Sequence, residues 1–290
     1  MTQPTLKRTF AILMASLLVS CGSQKPSTTD EVADIPLRLY VFDCGRITFE
    51  DVTAFSVAND ETEVRELAVP CYIVEHAKGR LLWEGGLPSK VAETDGWVGE
   101  GNMRQSLERT FAEQLTALGL DMASFDFAAF SHTHFDHIGV ANEVEGATLL
   151  IQRAEYDAAF GSEEDARAMY FDPDLYSNLR NAEIQVLDGD HDLFGDGSVR
   201  LLASPGHTPG HQSLFLDLAK TGPIVLSGDL YHFRLSREQK RVPTFNFDTE
   251  QTLASMNRIE ALVEQAGAQL WIEHELASFD SLLKAPSYYN

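Results

Sequence analysis

The chain has 290 residues, of which 44% are hydrophobic and 23% charged, a composition that supports a packed core and excludes a disordered chain. Acids outnumber bases 44 to 22, for a net charge of -22. Such a chain has no general affinity for phosphate backbones, which argues against nucleic-acid binding and favours a neutral or metal-bound substrate.

Lys7 and Arg8 precede a largely apolar run at 10–19. That run is too short to span a bilayer and has the length found in secretory signals. Leu18-Val19-Ser20-Cys21 resembles a bacterial lipoprotein cleavage box. Residues 1–20 are therefore expected to be a lipoprotein-type signal peptide, with Cys21 carrying the lipid. Residues 21–36, polar at 22–29, then form a flexible tether. An ordinary secretory signal with a chance cysteine is the alternative. By the same resemblance, the lack of Asp after the cysteine implies the outer membrane, facing the periplasm or the cell surface. Residues 1–20 contain Lys7 and Arg8 and no acid, so the remaining chain is more negative still.

The alternating run 37–43 predicts a first strand. Residues 45–66 read as a polar loop whose Phe49 and Phe55 either pack the loop down or form a binding lip. Segments 69–75 and 80–83 predict a hairpin about Lys78-Gly79, and Gly85-Gly86 predicts a turn. Leu107, Phe111, Leu115 and Leu118 keep helical spacing, which predicts a helix from an Asn102 cap to Gly119. Short apolar strands follow at 127–130, 148–151, 184–187, 199–203, 213–218 and 224–226. Residues 153–182 are acidic and read as helical or looped. Asp248 with Gln251 signals a helix start. Leu253, Met256, Ile259, Leu262 and Val263 share one face of that helix, and Gly267 ends it. The last strand is 270–272. Strands outnumber helices, and helices fall between groups of strands. That order predicts an α/β layered domain over 37–290, its sheets covered by helices. Cys44 and Cys71 lie in or beside strand-like segments. Export would permit a disulfide between them, while two buried free thiols fit the sequence as well.

His132, His134 and His137 fall close together, with Asp136 between the last two. They follow an apolar strand, so a loop at the strand end should hold them within mutual reach. Imidazoles and carboxylates suit zinc or a similar divalent metal. The placement recurs. His207 and His211 follow 199–203, Asp229 follows 224–226, and His274 follows 270–272. One such residue after a strand is ordinary; four such strand ends in one chain indicate a metal site.

His132-x-His134-x-Asp136-His137, then His207, Asp229 and His274, resembles the dinuclear metal pattern of the metallo-β-lactamase superfamily. The resemblance covers roughly residues 37–280. It implies an αββα sandwich with two divalent metal ions, zinc being expected, at one edge of its sheets. It further implies that His132, His134 and His207 hold one metal, that Asp136, His137 and His274 hold the other, and that Asp229 bridges them. The bridging carboxylate speaks against a true β-lactamase, and the negative charge against nuclease members. Lys284 is the one basic residue in 276–290, which speaks against a glutathione-thioester hydrolase.

Within the superfamily, Pro-Gly-His-Thr-Pro-Gly-His-Gln-Ser at 205–213 is similar to N-acyl homoserine lactone hydrolases. So are Val-Pro-Cys-Tyr-Ile-Val-Glu at 69–75 and Phe-Asn-Phe-Asp at 245–248. The resemblance implies an enzyme that opens the lactone ring by attack of a metal-activated water on its ester carbonyl. Asp136 then carries a proton to the leaving oxygen, and the 45–66 loop holds the acyl chain. Two departures stand out. Members carry an Asp-Thr-Gly turn where this chain has Glu84-Gly85-Gly86. They also place a tyrosine three residues after the bridging Asp, where this chain has His232 beside Tyr231. Register favours His232 and phenol chemistry favours Tyr231; Tyr231 is the expected donor to the oxyanion. The alternative is another hydrolase of this fold, acting on a thioester, a different lactone or a phosphoester. A non-catalytic binding protein stands behind both.

Overall fold

Leu39 and Val41 pack on one side of β1 (Arg38–Phe49), while Tyr40, Phe42 and Cys44 pack on the other, and all five are buried. A strand apolar on both faces must lie between two layers. The computed structural model describes residues 1–2, 36–94 and 102–290. The expected signal segment from residue 3, and Cys21 with its tether up to residue 35, lie outside them. The chain divides into Met1–Val32 and Ala33–Asn290, and the strands and helices of the described residues belong to the second unit.

β1 belongs to a seven-stranded sheet with β2 (Glu66–His76), β3 (Gly79–Gly85), β4 (Met103–Ser106), β5 (Phe127–Ala129), β6 (Thr148–Gln152) and β7 (Ile184–Leu187). The order is β4-β1-β2-β3-β5-β6-β7. Pairing is antiparallel from β4 to β3 and parallel from β3 to β7. The second sheet has the order β12-β11-β10-β9-β8. It contains β8 (His191–Asp192), β9 (Val199–Ala203), β10 (Gln212–Leu218), β11 (Gly222–Leu226) and β12 (Gln269–Trp271), the last pairing in parallel with β11.

Tyr72, Val74 and Trp83 of the first sheet meet Leu201, Leu214 and Leu226 of the second in one apolar layer. Outside the first sheet, α1 (Phe111–Leu115), α2 (Arg153–Phe160) and α3 (Glu163–Ala168) cover Phe42, Ile73 and Leu149. Outside the second, Met256 and Ile259 of α5 (Thr249–Ala266) pack on Leu202, Phe215 and Val225. Two short helices, α4 (Arg234–Gln239) and α6 (Leu276–Ser281), complete the set. The architecture is the αββα sandwich that the sequence implied.

Two elements differ from expectation. β1 does not stop at Asp43. Its register with β2 shifts between Asp43 and Arg46, a bulge about Gly45 at φ 131°, and the strand continues to Phe49. The extension leaves an edge of unpaired N–H and C=O groups, and residues 103–106 satisfy it as β4 instead of turning helical. Asn102 caps no helix; its Oδ1 accepts from the N–H groups of Glu50 and Asp51 at 2.7 and 2.6 Å. Thr110 is the real cap, in a capping box with Glu113. Leu107 joins a different apolar cluster from Phe111, Leu115 and Leu118, so the expected helical face holds only from Phe111 to Leu118, where Gly119 closes it in left-handed backbone. The long helix α5 is as expected: Asp248 Oδ1 accepts from Gln251 N–H at 2.9 Å, and Gly267 closes it in left-handed backbone.

Cys44 and Cys71 form a disulfide across β1 and β2, with Cα atoms 5.7 Å apart. It closes a 27-residue separation. Constraining the unfolded chain over that length is worth about 3–4 kcal/mol. The double variant Cys44→Ala/Cys71→Ala should lose a stability of that order in urea unfolding. A loss below about 1 kcal/mol would mean that the bond does not constrain the chain as stated.

Candidate metal centre

Four strand ends converge. β5 runs into 131–137, β9 into His207, β11 into Asp229 and β12 into His274. β5 belongs to one sheet and the other three to the second, so the site sits where the two sheets meet. Gln212 joins them there: its N–H donates to Ser131 O at 2.9 Å and its side-chain amide to Phe130 O at 2.9 Å. Gly228 precedes Asp229 at φ 52°. A Cβ on it would stand 2.5 Å from Ser131 Cβ and 2.7 Å from His211 Nε2, so only glycine fits this approach.

The seven predicted ligands come together in two buried groups that could each hold a metal ion. One is His132, His134, His207 and Asp229; the other is Asp136, His137 and His274. Asp229 faces both. Its Oδ2 lies 3.2 Å from His207 Nε2 and 3.7 Å from His132 Nε2. Its Oδ1 lies 2.9 Å from His274 Nε2 and 3.3 Å from His137 Nε2. Asp136 Oδ2 lies 3.6 Å from His274 Nε2 and 3.8 Å from His137 Nε2.

Each imidazole of the five is anchored by its other ring nitrogen. His132 Nδ1 meets Ser131 Oγ at 2.9 Å, and His274 Nδ1 meets Ala68 O at 2.6 Å. His207 Nδ1 meets Asn246 Oδ1 at 3.2 Å, and His134 Nε2 meets Met169 O at 3.1 Å. His137 Nδ1 meets Glu84 Oε2 and Ser131 Oγ, each at 3.2 Å. These outside partners turn the remaining nitrogen of each ring inward, where His134 Nδ1 lies 2.7 Å from His132 Nε2 and 3.1 Å from His207 Nε2, the arrangement that orients histidine toward a metal.

Charge follows burial and neighbours. Burial pushes His132 and His134 well below the ordinary histidine value. Burial opposes charge on His137 too, but Glu84 and then Asp229 outweigh it and hold that ring well above. His274 is likewise raised to about 9, against burial, by Asp229. For Asp229, burial is outweighed by His232, His274 and His137, which hold it well below the usual carboxylate range. Among the described residues, His137 Nε2 and Asp229 Oδ1 are buried without a hydrogen bond. Such atoms are costly, and a divalent cation satisfies an imidazole nitrogen and a carboxylate oxygen together. The residues present therefore fit two metal ions.

Residues outside the seven ligands hold this set in place, and the sequence assigned no role to Glu84, Glu155 or Glu273 among them. Glu84 also accepts from Ser131 N–H. Glu155, buried on α2, accepts from Thr133 N–H, Thr208 Oγ1 and Gly210 N–H at 2.8, 2.7 and 3.0 Å, linking the loop of His132 and His134 to that of His207. His211 accepts from Asp229 N–H on Nε2 at 3.0 Å, and burial lowers it to about 3. Glu273 accepts from Gly228 N–H at 2.8 Å. His211, which the sequence placed with His207 after the strand 199–203, belongs to the centre through its bond to the Asp229 backbone and to neither ligand group.

Tyr231 is not at the site. The turn at Gly228–Leu230 returns to extended backbone at Tyr231, so side chains 231 and 232 point opposite ways. Tyr231 packs with Leu202, Met256 and Ile259, and its hydroxyl donates to Glu260 at 2.9 Å. His232 takes the inward position, with Nε2 3.0 Å from Asp229 Oδ2. The expected donor role for Tyr231 is corrected on this geometry.

A cavity of about 360 Å³ opens over the centre. Asp136, Asp229, His232 and His274 border it, and Phe49, Phe55, Phe135 and Phe245 supply apolar wall. Phe55 both packs the loop down and lines the cavity: it is buried, with its ring 5.1 Å from Phe49 and 4.9 Å from His232. A larger cleft of about 690 Å³ beside α4 and α6 touches none of the seven ligands.

Residues 64–264 match the model of a known family, the metallo-beta-lactamase superfamily. The chain belongs to that superfamily. Among its relatives is the N-acyl homoserine lactonase AttM of Azorhizobium caulinodans, 32% identical over 265 residues that cover 88% of this chain and 99% of the relative. The N-acyl homoserine lactonase AiiA of Bacillus thuringiensis subsp. kurstaki is 27% identical, covering 87% and 98%. A solved N-acyl homoserine lactone hydrolase, with the product N-hexanoyl-L-homoserine at its catalytic metal centre, superposes with a TM-score of 0.74 at 27% identity over 87% of this chain and 98% of that one. As a superfamily member with a candidate dimetal site, the protein is a metal-dependent hydrolase.

Asp229→Ala should remove the anion that both groups share, leaving two cations to repel one another. Elemental analysis of the purified variant should show less than one metal per chain, against about two in the wild type. Two metals retained would place Asp229 outside the centre.

Proposed function

We propose that the protein hydrolyses the ester bond of N-acyl homoserine lactones. The observation that carries this reading is one carboxylate, Asp229, whose two oxygens face the histidines of both ligand groups at the border of an apolar cavity. The names of its relatives support the choice of substrate. The donor set of imidazoles and carboxylates fits zinc. Two such ions, when bound, lower the pKa of a water toward ~7 and polarise an ester carbonyl. The chain's own residues do the rest. Asp229, held well below its usual range, is ionised at neutral pH. Asp136 borders the cavity and is placed to move a proton from the attacking water to the leaving alkoxide. His232, at the same border, is placed to donate to the carbonyl oxygen as charge develops there. Phe49, Phe55 and Phe245 offer the acyl chain an apolar wall and keep water from it. A neutral lactone needs no basic field, in keeping with a net charge of -22.

Product analysis against an N-acyl homoserine lactone, a glutathione thioester and a phosphodiester tests the reading. The lactone should be opened to the acyl homoserine, and turnover confined to either of the other two would reject it. His232→Ala should lower kcat by roughly 10²-fold with metal content unchanged, the usual loss for one oxyanion donor. Tyr231→Phe should leave kcat alone and cost about 1 kcal/mol of stability through the lost bond to Glu260. The reverse pattern would restore Tyr231 to the site.

We also propose that the chain is exported and anchored through a lipid on Cys21. The Cys44–Cys71 disulfide supports export, because such bonds persist outside the reducing cytosol. Cys21→Ala should shift the protein from the membrane to the soluble fraction with hydrolysis intact. Continued membrane attachment of that variant would end the proposal.

A further inference from the structure

Helix α3 ends in a double hydrogen bond. Phe171 N–H donates to Ala166 O at 3.0 Å, and Tyr170 N–H donates to Arg167 O at 3.1 Å. This ending requires its middle residue to adopt left-handed backbone, a place that glycine fills at least cost. Tyr170 fills it here, at φ 61°. Its side chain gains little burial in return, for the residue is 67% exposed. A bulky residue held in that backbone region and left in solvent points to a role outside the fold's stability.

Its neighbours show where that role lies. Met169 O meets His134 Nε2 at 3.1 Å, and the Phe171 ring lies 5.6 Å from the His134 ring. The helix end is thus tied to the metal centre on both sides of Tyr170. Tyr170 lines the apolar cavity over the centre and also a second cavity of about 210 Å³ that includes Phe247, itself 47% exposed. It therefore stands at the mouth, where the two cavities adjoin.

We propose that Tyr170 is a specificity-determining residue whose ring lies against the distal part of the substrate's acyl chain, so that long chains are preferred to short ones. The inference rests on the lactone reading of the site. Asp136 and His274 are buried at the inner side of the cavity, whereas Tyr170 is exposed at its opening. An acyl chain whose ester sits at the two buried ligands therefore meets Tyr170 only with the part of it that leaves the cavity. Each methylene withdrawn from water is worth about fourfold in binding. A rigid aromatic ring supplies that contact with little ordering cost.

The test compares metal-loaded wild type, Tyr170→Gly and Tyr170→Phe on N-butanoyl and N-dodecanoyl homoserine lactone, with thermal melting of each protein. Tyr170→Gly should lower kcat/KM about tenfold for the dodecanoyl substrate, through KM, and change the butanoyl value less than about twofold. Its Tm should equal or exceed that of the wild type, since glycine relieves the backbone. Tyr170→Phe should keep both activities. Equal loss on the two substrates, or no loss on either, overturns the proposal while leaving the lactone reading intact. A lowered Tm with both substrates slowed alike makes Tyr170 a structural residue and overturns it too. A wild type that opens neither lactone overturns the substrate reading and this inference together.

Discussion

A single carboxylate set among imidazoles organises the molecule. Asp229 presents one oxygen to His132 and His207 and the other to His137 and His274. Taking that charge out of water is expensive unless positive partners surround it. The fold provides them from three strand ends besides the one that carries Asp229, and it holds the Asp229 backbone through His211 while Glu273 holds that of Gly228. The two-sheet sandwich, the bond from Gln212 to Ser131 and the glycine at 228 all bring those ends together at this point. The cavity above it is shaped by what packs around the centre.

The ligands were legible in the sequence because each lies just beyond an apolar run, and the strands that carry them read clearly. His132, His134, Asp136 and His137 also announce themselves by proximity. Glu84 and Glu155 gave no such sign. They act by accepting from backbone and side-chain groups far along the chain, Glu155 reaching Gly210 across 55 residues. Nothing in a single sequence distinguishes such a glutamate from one in solvent. The first part of the run, 102–110, misled for a related reason: whether residues 103–106 pair as a strand depends on β1 continuing past its bulge, a tertiary fact that local spacing does not contain.

Positions 231 and 232 show how finely register matters beside the centre. One residue separates a side chain that bonds Glu260 on a covering helix from one that meets Asp229. The short turn at Gly228–Leu230 sets that choice, and its phase cannot be counted from the residue types. Chemistry alone favoured the phenol; backbone geometry placed the imidazole.

The ligands are also spread along the chain in a telling order. Those of the His132–His137 loop come first, whereas Asp229 follows some ninety residues later and His274 later still. Neither group is complete without one of these late arrivals. A nascent chain, emerging from its N-terminus, thus has no assembled centre with which to capture metal until Asp229 and His274 have followed the His132–His137 loop. Metal acquisition is tied to the place and moment of final folding, so the ions gained are those that the compartment of folding supplies.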